Sequence, residues 1–83
     1  MIVKVCVLSL AHDFKFWSGG ADHAEAMTAE QISAVEDELD SIYPNGMNDY
    51  EINDIFWFEP DFLAQCNGFE TWEEMMEFNN DEN

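Results

Sequence analysis

The chain has 83 residues, a length that allows one domain with one modest hydrophobic core. Hydrophobic residues make up 47% of it, which argues against intrinsic disorder. The chain contains 19 acidic residues but only two lysines and no arginine, so its formal net charge is −17. This charge argues against direct binding to nucleic acid or to an anionic membrane, because both require a basic surface. A basic protein is the natural complement.

The apolar N-terminal segment 1–10 lacks the features of a secretory leader, because it is short and no basic region precedes its apolar part. No run of the sequence approaches the roughly 20 apolar residues that a membrane helix needs. Cys6 and Cys66 lie far apart and lack CxxC spacing, so we interpret them as buried free thiols of a cytosolic protein.

Residues 2–8 are predicted to form one β-strand, because Val3, Val5 and Val7 recur at the period of a strand. Since the intervening residues are also largely apolar, we expect both faces of this strand to be covered. A lone strand leaves its backbone groups unpaired. Its partner is either a second strand of the same chain or the same strand of another subunit, which would make a homodimer.

Residues 13–27 have the spacing of a helix with one apolar stripe. The stripe consists of Phe14, Trp17, Ala21 and Ala24. Gly19 and Gly20 disfavour a helix by roughly 1 kcal/mol each relative to alanine. Two interpretations stay open: the glycines divide the helix, with Asp22 and Glu25 capping a second piece, or they let another element pack closely.

The clearest predicted helix spans residues 28–43, where Thr28 and Gln31 form a capping box. Its apolar stripe contains Ile32, Val35, Leu39, Ile42 and Tyr43. The opposite face and the flanks of the stripe carry Glu30, Glu36, Asp37, Glu38 and Asp40. The sequence Pro44-Asn45-Gly46 ends this helix, because proline cannot continue it and glycine or asparagine accepts a left-handed backbone.

Residues 50–63 form the most aromatic stretch of the chain, and we expect them to supply the core on which the other helices are mounted. Asn48 and Glu51 form a capping box for a short helix that ends near Phe58. Because this helix is apolar over much of its circumference, it is predicted to be central.

Two more short helices are predicted after it. Pro60 fits the first turn of one helix, which the Asn67-Gly68 pair ends. Thr71 and Glu74 form a capping box for a last helix over 72–78.

Catalytic chemistry is poorly provided for in this sequence. His12 and His23 each sit beside an aspartate, but no further ligand follows at metal-site spacing, so we interpret them as surface or capping histidines. No calcium loop and no phosphate-binding glycine loop is present. In a chain this acidic, neighbouring carboxylates are no signal of acid–base catalysis. We expect no enzymatic activity, no metal and no cofactor.

The acidic residues of the last predicted helix carry the functional signal. Glu70, Glu73, Glu74 and Glu77 share one stripe and give roughly one charge per 3.5 Å of helix axis. One strand of duplex DNA carries about one phosphate per 3.4 Å. This match in linear charge density is what a nucleic-acid mimic needs.

Two other interpretations of the acidic residues stay open. A charged face is usually only a solvated face, and helix starts favour acids because of the helix dipole. The dipole does not explain Glu38, Asp40 and Glu77, which lie in the last turns of their predicted helices, whereas adaptation to high salt would. The full-sized aromatic and isoleucine content argues against salt adaptation.

The chain also resembles a group of short acidic proteins carried by bacterial phages and prophages. Three stretches carry the resemblance: FKFWSGGAD at 14–22, IYPNGM at 42–47 and EINDIFWFEPDFLAQCNG at 51–68. Gly20 and the acidic last helix depart from the pattern of the group. The resemblance implies a protein of the bacterial cytoplasm. By size and charge alone, such proteins are similar to anti-CRISPR and antirestriction inhibitors, which implies a stoichiometric inhibitor.

We therefore expect an α+β domain, mainly α, with one N-terminal β-strand, four or five short helices around an aromatic core, and a frayed tail over 79–83. The predicted function is that of a DNA mimic, which occupies the nucleic-acid-binding surface of a basic protein, with a CRISPR effector favoured. The alternative is a phage structural or adaptor protein, which an exposed Trp57 or Trp72 would favour. The predicted partner-binding residues are Glu36, Asp37, Asp40, Asp49, Glu51, Asp54, Glu59, Asp61, Glu70, Glu73, Glu74 and Glu77.

Overall fold

A computed structural model describes residues 2–3, 6–7 and 9–81 of the chain. Within these residues the chain forms five α-helices. Their bounds are Ser18–Ala26 (α1), Ala29–Ile42 (α2), Asp49–Phe58 (α3), Pro60–Gln65 (α4) and Trp72–Asp81 (α5). Helix α1 packs mainly against α3, and α5 packs against α4.

The predicted α+β class and the single strand over 2–8 are wrong, because the domain is helical. Only the two-residue segments Ile2–Val3 (β1) and Cys6–Val7 (β2) have strand backbone in the described part of this region, and they pair antiparallel with each other. Val3 also forms a parallel bridge to Met47. Alternating apolar residues indicate extended backbone but do not fix its length. The predicted positions 4, 5 and 8, like the thiol of Cys6, lie outside the described residues.

Helix α1 begins five residues later than predicted, at Ser18 rather than residue 13, and it is continuous through both glycines. Of the two open interpretations, the structure excludes a division of the helix at Asp22 and supports close packing of another element. A Cβ atom on Gly20 would collide with the side chain of Asn53, and one on Gly19 would collide with the indole of Trp57. The glycines thus let α1 cross α3 at short range.

Both capping boxes at the starts of α2 and α3 are confirmed. The Thr28 hydroxyl accepts a hydrogen bond from the Gln31 amide at 3.1 Å, and the Gln31 side chain accepts one from the Thr28 amide at 3.1 Å. Asn48 accepts from the Glu51 amide at 2.8 Å. Each pair satisfies amides that a helix start leaves without partners, which fixes where the helix begins.

The last two helices also begin where their sequences predict. Pro60 occupies the first position of α4, and Gly68 adopts φ 85° just after this helix. The Thr71 hydroxyl accepts from the Glu74 amide at 3.2 Å, so α5 begins at Trp72. This helix extends through Asp81 and is longer than the predicted span of 72–78.

The hydrophobic core lies between the inner faces of the helices. Its fully buried large side chains are Leu10, Val35, Leu39, Ile52, Phe56, Leu63 and Met75. Phe16 reaches this core from the segment before α1, and its ring lies 4.5 Å from that of Phe56, centroid to centroid. Five helices thereby share one core, and acidic residues are left for the outer surface.

Candidate protein-interaction surface

Two of the predicted partner-binding carboxylates are engaged in holding elements of the fold together. Glu36 accepts a hydrogen bond from the backbone amide of Leu10 at 2.8 Å, which ties the turn before α1 to α2. Asp61 of α4 accepts one from the backbone amide of Trp72 at 2.9 Å, which joins the first turns of α4 and α5. Both carboxylates therefore already form hydrogen bonds that hold two elements of the fold together.

Further predicted residues are bonded inside their own helix start or are partly buried. Asp49 accepts from the Tyr50 amide at 3.1 Å, and Glu51 accepts from the Asn48 amide at 3.4 Å. Asp40 is half-buried on α2. A carboxylate in the first turn of a helix is expected from the dipole, so Asp49 and Glu51 say little about a partner.

The remaining predicted carboxylates are exposed and accept no hydrogen bond from the described residues. They are Asp37, Asp54, Glu59, Glu70, Glu73, Glu74 and Glu77. Glu73, Glu74 and Glu77 lie on the outer face of α5, because Met75 on its inner face is fully buried. We call these three residues the α5 acidic stripe.

Glu70 does not belong to the α5 acidic stripe, so the predicted stripe of four is wrong at this position. The Thr71 cap makes α5 begin at Trp72, and the backbone carbonyl of Glu70 accepts a hydrogen bond from the Gln65 side chain at 3.3 Å. Helical spacing alone could not place this boundary, because Glu70 fits the same period whether or not the backbone there is helical.

The structure exposes aromatic residues that the sequence assigned to the core. Tyr50 is 68% exposed, Phe58 63%, Trp57 38% and Trp17 36%. Tyr50 contacts Trp17 edge to face, with ring centroids 5.7 Å apart, and Trp57 stacks on Phe58 with centroids 4.8 Å apart. We call these four residues the aromatic face.

A signal for the aromatic face was present in the sequence of α3. Ile52 and Phe56 are one turn apart and fully buried, whereas Tyr50 and Trp57 are two turns apart on a different side of the helix. A helix that is apolar on two sides is either central or exposes one side. The choice between these depends on what covers the second side, which the sequence of α3 does not encode.

A cleft of about 610 Å³ lies beside the start of α2 and the end of α5, but the amide side chains that line it already form hydrogen bonds within the protein. Gln31 and Asn79 exchange two side-chain hydrogen bonds, of 2.6 and 2.9 Å. Asn67 donates to the carbonyl of Gln31 at 3.2 Å and to that of Leu63 at 2.9 Å. These amides join three helices, so we assign the network to folding.

His23 and Cys66 occupy structural positions. The Nδ1 atom of His23 donates to the carbonyl oxygen of Phe56 at 2.7 Å, and its ring packs on Trp72. Partial burial, together with the carboxylate of Glu38, raises the pKa of the Cys66 thiol to about 11. A thiol that resists ionisation is a poor nucleophile at neutral pH.

Within residues 9–81 no group of three or more histidine, cysteine or acidic side chains is arranged to hold a metal ion. None of the described helices combines the length and the apolarity that crossing a membrane demands. No known protein family, curated protein sequence or solved structure matches this chain.

Proposed function

We propose that this protein is an acidic DNA mimic that acts in the bacterial cytoplasm by occupying the nucleic-acid-binding surface of a basic defence protein, with a CRISPR effector favoured over a restriction enzyme. The observation that carries the proposal is the α5 acidic stripe. Its carboxylates are exposed and accept no hydrogen bond from the described residues, and Glu73 and Glu77 lie on the side of α5 opposite the buried Met75.

The chemistry of the proposed contact is charge-assisted hydrogen bonding. A surface that grips phosphates does so with arginine and lysine, and carboxylates pair with the same groups, bidentately in the case of arginine. Asp61 lies at the start of the stripe, because its carboxylate is bonded to the amide of Trp72.

The test is competition for DNA by a charge-reversed variant. Glu73→Lys, Glu74→Lys and Glu77→Lys are combined in one protein, and displacement of labelled DNA from the defence complex is measured at fixed ionic strength. The matched control carries Asp22→Lys, Glu25→Lys and Glu38→Lys, which are also exposed but lie on α1 and α2. Both variants have the same net charge, so long-range attraction falls equally and only position differs.

We expect the stripe variant to lose DNA displacement and the control variant to retain most of it. Equal loss in both variants would mean that net charge, and not the α5 acidic stripe, governs binding. Failure of the unmodified protein to displace DNA from any defence complex that it binds would overturn the mimicry itself.

The aromatic face favours a second candidate function, that of a phage structural or adaptor protein. Trp57 is 38% exposed, and a contiguous aromatic surface marks a protein interface. In this case the acids serve solubility and the aromatic residues serve assembly. Substitution of the exposed Tyr50 and Phe58 by serine would then abolish assembly with the phage partner, whereas the α5 stripe variant would leave it unchanged.

A further inference from the structure

One exposed carboxylate lies at the centre of the aromatic face. Asp54 is one helical turn from Tyr50, Trp57 and Phe58, since it stands four, three and four residues from them on α3. It is exposed and accepts no hydrogen bond from the described residues. The aromatic rings of this face therefore surround the carboxylate of Asp54.

The rings of this face are held in place from behind. The indole of Trp57 lies against the backbone of Gly19, where a side chain would collide with it. The backbone amide of Trp17 donates to the fully buried Asn53 side chain at 3.0 Å, and the Trp17 ring contacts Tyr50 edge to face. Trp57 and Tyr50 therefore have packing partners within the protein before a ligand binds, which lowers the side-chain entropy lost on binding.

We propose that the aromatic face, with Asp54 at its centre, is a docking surface for arginine side chains of a basic protein segment. A guanidinium pairs with a carboxylate through parallel N–H donors and stacks on aromatic rings at the same time. An ammonium has neither the planar fork nor the weak hydration that this combination uses. The inference rests on the proposed basic partner and adds a second contact surface, selective for arginine, to the α5 acidic stripe.

Charge decides between a basic segment and a second copy of this chain as the occupant. Each copy carries a net charge of −17, so a dimer through this face would bring together two strongly negative molecules, each with Asp54 in the contact surface. Like charges placed opposite each other oppose association. A segment rich in arginine is attracted to this face instead of repelled by it. Its guanidinium groups can pair with Asp54 and stack on the aromatic rings.

The test uses decaarginine and decalysine peptides and the indole N–H signals in NMR spectra. Trp17 and Trp57 belong to the face, whereas Trp72 begins α5 beside the α5 acidic stripe and reports on peptide bound there. We expect decaarginine to shift the signals of Trp17 and Trp57 more than that of Trp72. We expect decalysine to bind roughly fivefold more weakly or worse.

The variant for this test combines Tyr50→Ser with Phe58→Ser, both at exposed positions where folding depends little on the side chain. Its matched control is Phe78→Ser, a 48% exposed aromatic outside the aromatic face. We expect the double variant to lose roughly fivefold or more in decaarginine affinity and the control to lose less than about twofold. Asp54→Asn should lower decaarginine affinity as well.

Several results would overturn the inference. Equal affinity for decaarginine and decalysine, with no effect of the double variant, would show that the aromatic face does not select arginine. If Glu73→Gln, Glu74→Gln and Glu77→Gln together then weaken both peptides, the proposed function survives and only the aromatic face is wrong. If neither peptide binds, both proposals fail. Shifts of Trp17 and Trp57 that depend on protein concentration alone would show that a second copy is the occupant.

Discussion

His23 donates a hydrogen bond to a backbone carbonyl that Pro60 leaves without its usual helical donor. In a helix the carbonyl of Phe56 would accept from the amide four residues later, but residue 60 is proline and has no N–H. The Nδ1–H of His23 takes this place at 2.7 Å. Of the two roles predicted for this histidine, surface or capping, His23 has the second, at the end of α3.

Replacing His23 by phenylalanine should destabilise the protein by about 1–2 kcal/mol, because the ring contact with Trp72 survives while the Phe56 carbonyl loses its donor. The measurement is the free energy of unfolding from urea titrations at neutral pH. His12→Phe is the matched control, since His12 is exposed. Equal effects of the two substitutions would contradict the role assigned to His23.

Cys66 should react slowly with alkylating agents in the folded protein. The raised pKa, about 11 against an ordinary 9.0, lowers the thiolate population. The greater nucleophilicity of a more basic thiolate offsets part of this effect, which leaves alkylation at pH 8 roughly tenfold slower than in the unfolded chain. The measurement is the rate of iodoacetamide labelling of a Cys6→Ser variant with and without denaturant. Equal rates would contradict the prediction.

The same shift gives a stability prediction with a definite sign. Because the pKa of the Cys66 thiol is raised in the folded state, its contribution to stability is complete below about pH 9 and is lost as the pH rises towards 11. Wild type should therefore lose more stability than Cys66→Ser over this interval. Parallel pH profiles of the two proteins would contradict it.

At the scale of elements, the crossing of α1 over α3 depends on Gly20. Gly20→Ala gains about 1 kcal/mol of helix propensity, but its new methyl meets Asn53, which is fully buried and bonded to the amide of Trp17. Overpacking of this kind costs about 1–3 kcal/mol, so we expect net destabilisation in thermal or urea unfolding. Stabilisation by about 1 kcal/mol, as at an ordinary helix glycine, would contradict the close crossing.

Gly19→Ala is the neighbouring comparison for this prediction. Here the obstacle is the indole of Trp57, which is 38% exposed and has solvent to move into. We expect a smaller change in stability than for Gly20→Ala, together with a shift in tryptophan fluorescence as the ring leaves its position.

The helices whose starts the sequence predicts well are those with local chemistry. Thr28 with Gln31 and Asn48 with Glu51 bond across three residues, so their pairing needs no knowledge of the rest of the fold. The start of α1 has no such signal. It depends on Asn53, which lies 36 residues from the Trp17 amide that it accepts from. Contacts between distant residues decide what local spacing leaves open.

The same distinction between local patterns and contacts of distant residues applies to the candidate site. That acids cover the helices was evident from composition, but the bonds of Glu36 to Leu10 and of Asp61 to Trp72 join different elements, and the sequence did not predict this structural role of the two carboxylates. The exposure of Tyr50 and Phe58 likewise depends on what packs beside α3. The sequence therefore identified the charge of the surface better than its aromatic part.

At the scale of the whole molecule, the net charge of −17 is confined to a body of 38 × 24 × 20 Å. Unfolding lets these charges move apart, so repulsion favours the unfolded chain. At about 0.01 M ionic strength the Debye length is roughly 30 Å and repulsion acts across the molecule, whereas at about 0.1 M it is roughly 10 Å, less than any dimension of the protein.

We therefore expect the melting temperature to rise between about 0.01 and 0.1 M sodium chloride and then to level off. Glu73→Gln, Glu74→Gln and Glu77→Gln together should lessen this rise, because they remove part of the repulsion. A melting temperature that is unchanged by salt would mean that the charges are too widely spaced to act on one another. A rise that continues well beyond about 0.1 M would exceed what screening supplies and would favour adaptation to high salt over partner binding as the reason for the acidic surface.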